Sequence, residues 1–239
     1  MKIYAYSMHS EGARNLAKAL DTVLIKHKNS KFKWSTDKVI NWGHSNPPGP
    51  CMNMEAKNAI DKRITYDLLD QASIPCPPYT KDKETALEWI KKDKVVLART
   101  LTKASEGRGI VILNVNKDIN APLYTQYIKK KHEFRVHVVN GKPIKLQQKK
   151  LRKNLQHNII RNTKNGYVFG HISEDLPVDI KERLSFLAVS AVKVLKLDFG
   201  AVDIIWNKHH NKLYVLEVNT APGISELTAK TYADAFKNA

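Results

Sequence analysis

Asp203, Glu217 and Asn219 are three oxygen donors carried by two apolar stretches near the C-terminus, residues 197–206 and 213–223. Each stretch reads as a strand, with residues 207–212 as the polar tip between them. Side chains alternate faces along a strand. Val202, Ile204 and Trp206 then share one face and Asp203 takes the other. In the second strand Tyr214, Leu216 and Val218 fall together, with Glu217 and Asn219 opposite. Pairing Trp206 with Tyr214 sets Asp203 directly across from Glu217. Two carboxylates side by side repel and are costly without a cation. Hard oxygen ligands of this kind suit magnesium, which is held by one or two carboxylates plus substrate phosphates. The spacing fits equally well an ordinary amphipathic hairpin with a solvated acidic face.

A second group of residues is suited to phosphate. Arg99 ends an apolar stretch, and Ser105, Gly107 and Gly109 come after it in a short turn-rich loop. Glycine lets backbone N–H groups approach phosphates closely, and it also suits a tight hairpin with no ligand. The loop is not a P-loop, because no Gly-Lys-Ser/Thr comes after it. Residues 129–164 hold twelve Lys or Arg and one acid, Glu133, and supply eleven of the seventeen net positive charges. Such a field captures phosphates and other polyanions, but it also serves solubility or loose adhesion to nucleic acid. The segment lacks the interleaved aromatics that stack bases. Neither a Cys/His nucleophile pair nor Gly-x-Ser-x-Gly is present.

The elements that must position these groups can be read from periodicity. Residues 1–6 and 39–43 read as strands around a helix at 12–24, a small α/β lobe with a parallel sheet. Ligands sit beyond strand C-termini in such sheets, so the loop at 42–50 either faces a substrate or is a plain connector. A helix at 58–72 ends at Ile74-Pro75. A short helix at 85–91, strands at 95–99, 110–112 and 123–128, and a hairpin turning at Asn140-Gly141 come next. A helix at 181–197 buries Leu184, Leu187, Ala191 and Leu195 and leads back to the acidic hairpin.

The chain of 239 residues suffices for one large domain or two small ones. No apolar run reaches membrane-spanning length, and the N-terminus lacks a signal pattern. Cys51 and Cys76 give neither a disulfide framework nor metal-ligand spacing. A reducing cytoplasm and no membrane partner are expected.

Asp203-Ile204-Ile205, with Leu216-Glu217-Val218-Asn219-Thr220-Ala221-Pro222-Gly223 after it, resembles the metal-binding end of the ATP-grasp superfamily. That group includes D-alanine–D-alanine ligase, glutathione synthetase and the ribosomal-protein glutamate ligases. The resemblance is clear over residues 61–223 and weak before them. It implies an α/β (α+β) chain of the ATP-grasp fold. A small N-terminal α/β lobe (1–55) would precede two α+β lobes that sandwich ATP (56–125 with a flexible loop, and 126–239).

The resemblance also assigns roles. Asp203, Glu217 and Asn219 would hold magnesium, two ions with manganese as a substitute. Lys62, Arg99 and Lys149 would meet the phosphates of ATP, and Ser105, Gly107 and Gly109 would form the closing loop. Gln126 and the backbone of Tyr127 and Ile128 would read adenine, with Gln126 where relatives carry Glu, and Glu133 would hold the ribose. Arg161, Asn162 and Arg135 would act on the transferring phosphoryl group, although a plain Glu133–Arg135 pair is an alternative for that Arg. The implied activity is ATP-dependent joining of a small-molecule or peptide carboxylate to an amine through an acyl phosphate. The rival from the charge is a basic nucleic-acid- or polyanion-binding protein on the same scaffold, or a ligase for a polyanionic substrate.

Overall fold

The computed structural model describes residues 1–28, 31–34, 38–104, 107–114, 119–130, 132–156 and 158–238. The chain runs β1 (Lys2–Ala5), α1 (Glu11–Ala19), β2 (Val39–Trp42), α2 (Lys57–Ile60), α3 (Lys62–Gln71), β3 (Tyr79–Thr80), α4 (Lys83–Lys91), β4 (Val96–Arg99), β5 (Ile110–Leu113) and β6 (Leu123–Gln126). It continues with β7 (His132–Val139), β8 (Lys142–Leu151), β9 (Tyr167–Gly170), α5 (Val178–Val194), β10 (Phe199–Asn207), β11 (Lys212–Asn219) and α6 (Glu226–Lys237). Among the described residues the strands form three sheets, ordered β1-β2, β3-β6-β4-β5 and β11-β10-β7-β8-β9.

The five-stranded antiparallel sheet is the platform of the molecule. Phe134, Val136 and Val138 of β7 and Val202, Ile204 and Trp206 of β10 face one side. There they pack on Leu184, Leu187, Ala188, Ala191 and Leu195 of the α5 region and on Tyr66 and Leu69 of α3. This is the stripe expected for that helix, which starts three residues earlier than the periodicity gave. The opposite side of the same strands carries Glu133, Arg135 and Asp203. The pleat therefore separates a dry core from a polar face.

Two helices depart from expectation for local reasons. The helix read at 58–72 is two, broken at Asp61 (φ −90°, ψ 110°), whose carboxylate caps α3 by accepting from the Arg63 N–H at 3.1 Å. A capping Asp satisfies a first-turn donor and starts a new helix there. Lys62 thereby becomes the first residue of α3. In the N-terminal lobe, α1 is capped by Ser10 and stops at Ala19, because Asp21 takes a left-handed conformation (φ 51°). Leu24 instead bridges Ile3 of β1.

β1 and β2 pair in parallel, as expected. Their apolar side chains do not close a core alone. Ile3, Leu16, Ile40 and Trp42 cluster with Val139, Phe199, Ile224 and with Tyr232 and Phe236 of α6. Asn53 fastens this joint. It is fully buried in the left-handed region (φ 57°), donates Nδ2 to the Phe199 carbonyl at 2.9 Å, and accepts on Oδ1 from the Asp198 and Phe199 N–H groups at 2.8 and 3.1 Å. No described helix is long and apolar enough to cross a membrane.

Candidate functional site

A cavity of about 660 Å³ opens between the polar face of the five-stranded sheet, the four-stranded sheet and the N-terminal lobe. It is lined from β10 and β11 by Asp203, Glu217 and Asn219. From β7, β8 and the segment after β8 it is lined by Glu133, Arg135, Lys149, Arg161 and Asn162. The four-stranded sheet and the segment after its β6 strand add Arg99, Gly107, Gln126, Tyr127 and Ile128. Residues more than a hundred positions apart in sequence thus meet around one space.

Asp203 does lie across from Glu217, but not by the register expected. Trp206 pairs with Leu213 and Ile205 with Tyr214, and the ladder shifts between Asp203 and Ile204. Leu216 is the extra residue of a β-bulge, which bends the strand and re-aims the side chains after it. The Tyr66 hydroxyl holds the Leu216 carbonyl at 3.1 Å. The faces of β11 change accordingly. Leu213 and Val215 join Val218 in the core, while Leu216 lines the cavity beside Glu217 and Asn219. Strict alternation had grouped Tyr214 and Leu216 with Val218.

The acidic groups are matched by cations. Basic residues share this face, because β7 is the neighbour of β10 and sets Arg135 beside Asp203. The Arg135 guanidinium donates Nε to Oδ1 at 2.6 Å and Nη2 to Oδ2 at 2.8 Å, and its carbon lies 3.9 Å from the centre of the Phe169 ring. Burial pushes the Asp203 carboxyl up and Arg135 opposes it; the fork, with both oxygens accepting, requires the ionised form. The alternative Glu133–Arg135 pair is not formed. Glu133 is instead held by Lys149 and by Lys130 at 2.9 Å. Burial disfavours its charge, yet the two lysines outweigh burial and keep the carboxyl below its usual range. Glu217 is also penalised by burial, but Lys62 at 3.5 Å, Lys149 and Arg135 bring it down to about 2.

The donor set suits a hard divalent cation. Among the described residues no group of three or more His, Cys, Asp or Glu is placed to hold a metal. Asp203 and Glu217 supply two carboxylates. Asn219 donates Nδ2 to Glu217 at 3.3 Å, so Oδ1 is the atom it could offer as a third oxygen donor. Magnesium commonly takes one or two carboxylates and completes its shell with phosphate and water.

Several buried polar atoms around the cavity have no hydrogen-bond partner among the described residues: Arg99 Nε, Arg161 Nε and Thr125 Oγ1. Orphaned donors of this kind are rare and point to a missing acceptor. Lys62 does not line the cavity wall. It reaches Glu217 and donates to the Ala104 carbonyl at 2.8 Å, tying α3 to the β4–β5 loop. Gly107 (φ 73°) faces the cavity, and a Cβ there would lie 2.6 Å from Ile160. Gly109 is not at the cavity. Its carbonyl accepts from Thr100, closing the hairpin. Ser105 lies outside the described residues.

Three further features bear on the site. The Tyr127 N–H is bonded to the Val95 carbonyl at 2.7 Å, so it cannot read a base, and the Tyr127 carbonyl and Ile128 backbone remain. The N-terminal lobe meets the cavity through Tyr6, His9 and Ser10 to Gly12, and none of residues 42–50 lines it, which favours the plain connector. Within the basic segment, Lys130, Arg135, Lys149 and Arg161 turn into the cavity. Sequence reasoning missed Lys130, Thr125, Phe169 and Gln147. β8 runs on to Leu151, and alternation along this long strand puts Gln147 and Lys149 on one face.

A RimK-like ATP-grasp domain model matches residues 59–238. The chain is 28% identical over 152 residues to a D-alanine–D-alanine ligase of Rickettsia felis, covering 58% of this chain and 47% of that protein. A second such ligase, from Rickettsia massiliae, is 32% identical over 104 residues, 43% of this chain and 32% of that protein. The chain therefore spans about half or less of the length of these curated relatives. Among solved structures, the D-alanine–D-alanine ligase of Bacillus anthracis superposes with a TM-score of 0.68 at 15% identity, covering 99% of this chain and 95% of that one. The ATP-grasp ligase PsnB complexed with a minimal precursor gives 0.70 at 11% identity, covering 99% and 98%. A RimK domain ATP-grasp protein from Sphaerobacter thermophilus gives 0.65 at 15%, covering 98% of each chain. These similarities show a shared fold.

Proposed function

The chain belongs to the RimK-like ATP-grasp family, and from that premise we propose that it is a magnesium-dependent ligase that uses ATP to join a carboxylate to an amine. The observation that carries this reading is the convergence of Arg99, Lys149 and Arg161 with Asp203, Glu217 and Asn219 on one cavity. A plain nucleic-acid binder has no use for buried carboxylates facing orphaned guanidinium donors.

In this reading the substrate carboxylate attacks the γ-phosphorus of ATP, the bond from that phosphorus to the β–γ bridging oxygen breaks, and ADP leaves. An amine then attacks the acyl carbon, phosphate departs, and the amine proton is lost to solvent or to a carboxylate of the site. Such chemistry asks the protein for positioning and charge neutralisation. The Tyr127 carbonyl, the Ile128 backbone and Gln126 would address the adenine, and Glu133 the ribose. Arg99 and Arg161, each with a buried Nε lacking a partner among the described residues, would bind phosphate oxygens, and Lys149 would shift from Glu133 toward them. Asp203, Glu217 and Asn219 would hold magnesium, which when bound neutralises phosphate charge as the γ-phosphoryl moves. Gly107, packed on Ile160, would let the β4–β5 loop cover the site and exclude water from the acyl phosphate.

The acceptor and donor are small molecules or peptides, as the relatives' names suggest: one group joins D-alanine and another was seen with a precursor. An ADP-release screen across pools of carboxylates and amines, with mass spectrometry of the product, tests the reading. A product heavier by one amine and lighter by water is expected. ATP turnover that rises only with polynucleotide, with no amide product, would replace the ligase by the polyanion-binding alternative.

A further inference from the structure

A buried relay that the ligase chemistry does not use ends at the cavity wall. His137 of β7 is fully buried; its Nδ1 lies 3.0 Å from the Tyr232 hydroxyl of α6 and its Nε2 lies 2.8 Å from Gln147 Oε1. Gln147 is half-buried and lines the cavity, cross-strand from Arg135.

The polarity of this chain is fixed by counting donors. An amide oxygen only accepts, so His137 Nε2 carries the proton. Nδ1 is then an acceptor, and the Tyr232 O–H donates to it. The reverse arrangement, with the Gln147 amide turned over, leaves the Tyr232 proton without an acceptor inside the core, which is costly. Burial and the nearby Arg135 keep His137 neutral, with its pKa at about 3, and burial keeps Tyr232 protonated. With Oε1 engaged, the two N–H groups of Gln147 have no acceptor among the described residues, and Gln147 lines the cavity.

The position of these donors along β8 is also informative. Lys149 and Gln147 share a face, and two residues of strand cover roughly 6.6 Å. Lys149 contacts Glu133 at the nucleotide end. Gln147 lies beyond it, on the side of Thr228 and α6, where Lys145 donates to the Thr228 hydroxyl at 2.9 Å. A bulge in the β7–β8 ladder between His137 and Val138 sits at this point, and bulges re-aim side chains.

We propose that Gln147 donates its amide N–H to an oxygen of the acyl group being activated, with His137 and Tyr232 as positioning residues that lock the amide in the donating orientation. This rests on the ligase reading, since it needs a nucleotide at the Lys149 end. Gln147 would then discriminate for acceptor oxygens, carboxylate or acyl phosphate, and against amides or amines that offer donors at that point.

The test uses the full chain, ¹⁵N-labelled and loaded with magnesium-ADP, with acetyl phosphate as the smallest acyl-phosphate probe. The side-chain N–H₂ resonances of Gln147 should move downfield saturably as acetyl phosphate is added. Gln147→Ala and Gln147→Glu should weaken acetyl phosphate binding roughly tenfold, the scale of one hydrogen bond to a charged group, while ADP affinity holds. Long-range ¹⁵N spectra should show His137 protonated on Nε2, and His137→Phe should abolish the Gln147 response without loss of ADP binding. Should that variant not fold, the wild-type tautomer still decides the relay. ADP that binds while the Gln147 N–H₂ stays unmoved, wild-type acetyl phosphate affinity in both Gln147 variants, or an Nδ1–H tautomer overturns the proposal. Failure of ADP itself to bind overturns the ligase reading instead.

Discussion

Arg135 grips Asp203 through two parallel hydrogen bonds, 2.6 and 2.8 Å long, across the β7–β10 ladder. Both side chains are largely removed from solvent, at 11% and 4% exposure. The pair therefore stands for two opposing facts. It balances a buried carboxylate, and it engages the oxygens assigned to magnesium, so a metal must share Asp203 with the guanidinium or displace it.

The first prediction comes from that balance. Arg135→Met leaves Asp203 charged and buried without its partner, and should cost about 3–5 kcal/mol of stability in urea denaturation. Arg135→Met with Asp203→Leu removes both charges and should recover most of the loss. Equal stability of the single variant and wild type would show that the fork is unimportant to the fold.

The second concerns nucleotide. Magnesium-ATP should raise the melting temperature by mass action, and Lys62→Ala with Arg99→Ala should remove most of the shift. Arg99 has a buried Nε without a partner among the described residues, and Lys62 reaches both Glu217 and the Ala104 carbonyl. An undiminished shift in the double variant would move the phosphate site elsewhere.

These two cases show what the chain disclosed locally and what it did not. The acidic hairpin, the strand before Gly107 and the buried stripe of α5 are periodic over short windows, so they could be read. The Asp203–Glu217 pairing was reached from a false Trp206–Tyr214 register, which the bulge at Leu216 corrects by one residue. The break at Asp61 is a capping signal inside an otherwise helical pattern. Arg135 opposite Asp203, Lys149 on Glu133 and the Tyr232–His137–Gln147 relay depend on which strands become neighbours, and no local spacing carries that. The Asn53 joint is equally remote, linking positions 145 and 146 residues apart.

The third prediction is a pH dependence. His137 has its pKa at about 3 in the folded chain against 6.5 when free, because burial penalises the imidazolium. Between those values the unfolded state binds more protons, so stability falls as pH drops below 6.5, by at most about 1.4 kcal/mol per pH unit. Above 6.5 the contribution is complete and flat. Comparing urea stability of wild type and His137→Gln between pH 7 and 5, before most carboxylates titrate, should show the extra slope in wild type alone. Parallel curves would contradict a buried neutral His137.

The fourth prediction tests the lobe joint. Asn53→Ala strands the Asp198 and Phe199 N–H groups and the Phe199 carbonyl, and it places Ala at φ 57°. A loss of about 2–4 kcal/mol is expected, read as a lower urea midpoint at unchanged slope. A change below about 0.5 kcal/mol, the size of an ordinary surface substitution, would mean the lobe docks through its apolar cluster alone.

The central claim is that Glu217, Asp203 and Asn219 serve phosphoryl transfer as one magnesium-holding unit, and ADP formation by Glu217→Gln measures it most directly. Gln keeps the shape and removes the charge that Lys62 faces at 3.5 Å. With the cognate substrates, or with slow substrate-independent hydrolysis, the rate should fall about a hundredfold or more, as when charge stabilisation in the transition state is lost. Magnesium-ATP affinity should fall only modestly, because Gln126 and Ile128, proposed to meet the adenine, are untouched. Adding Asn219→Ala should cost little more than the worse single change, since residues that act together are non-additive. A folded Glu217→Gln protein that forms ADP at the wild-type rate would contradict the assignment and leave the hairpin as an amphipathic element with buried ion pairs.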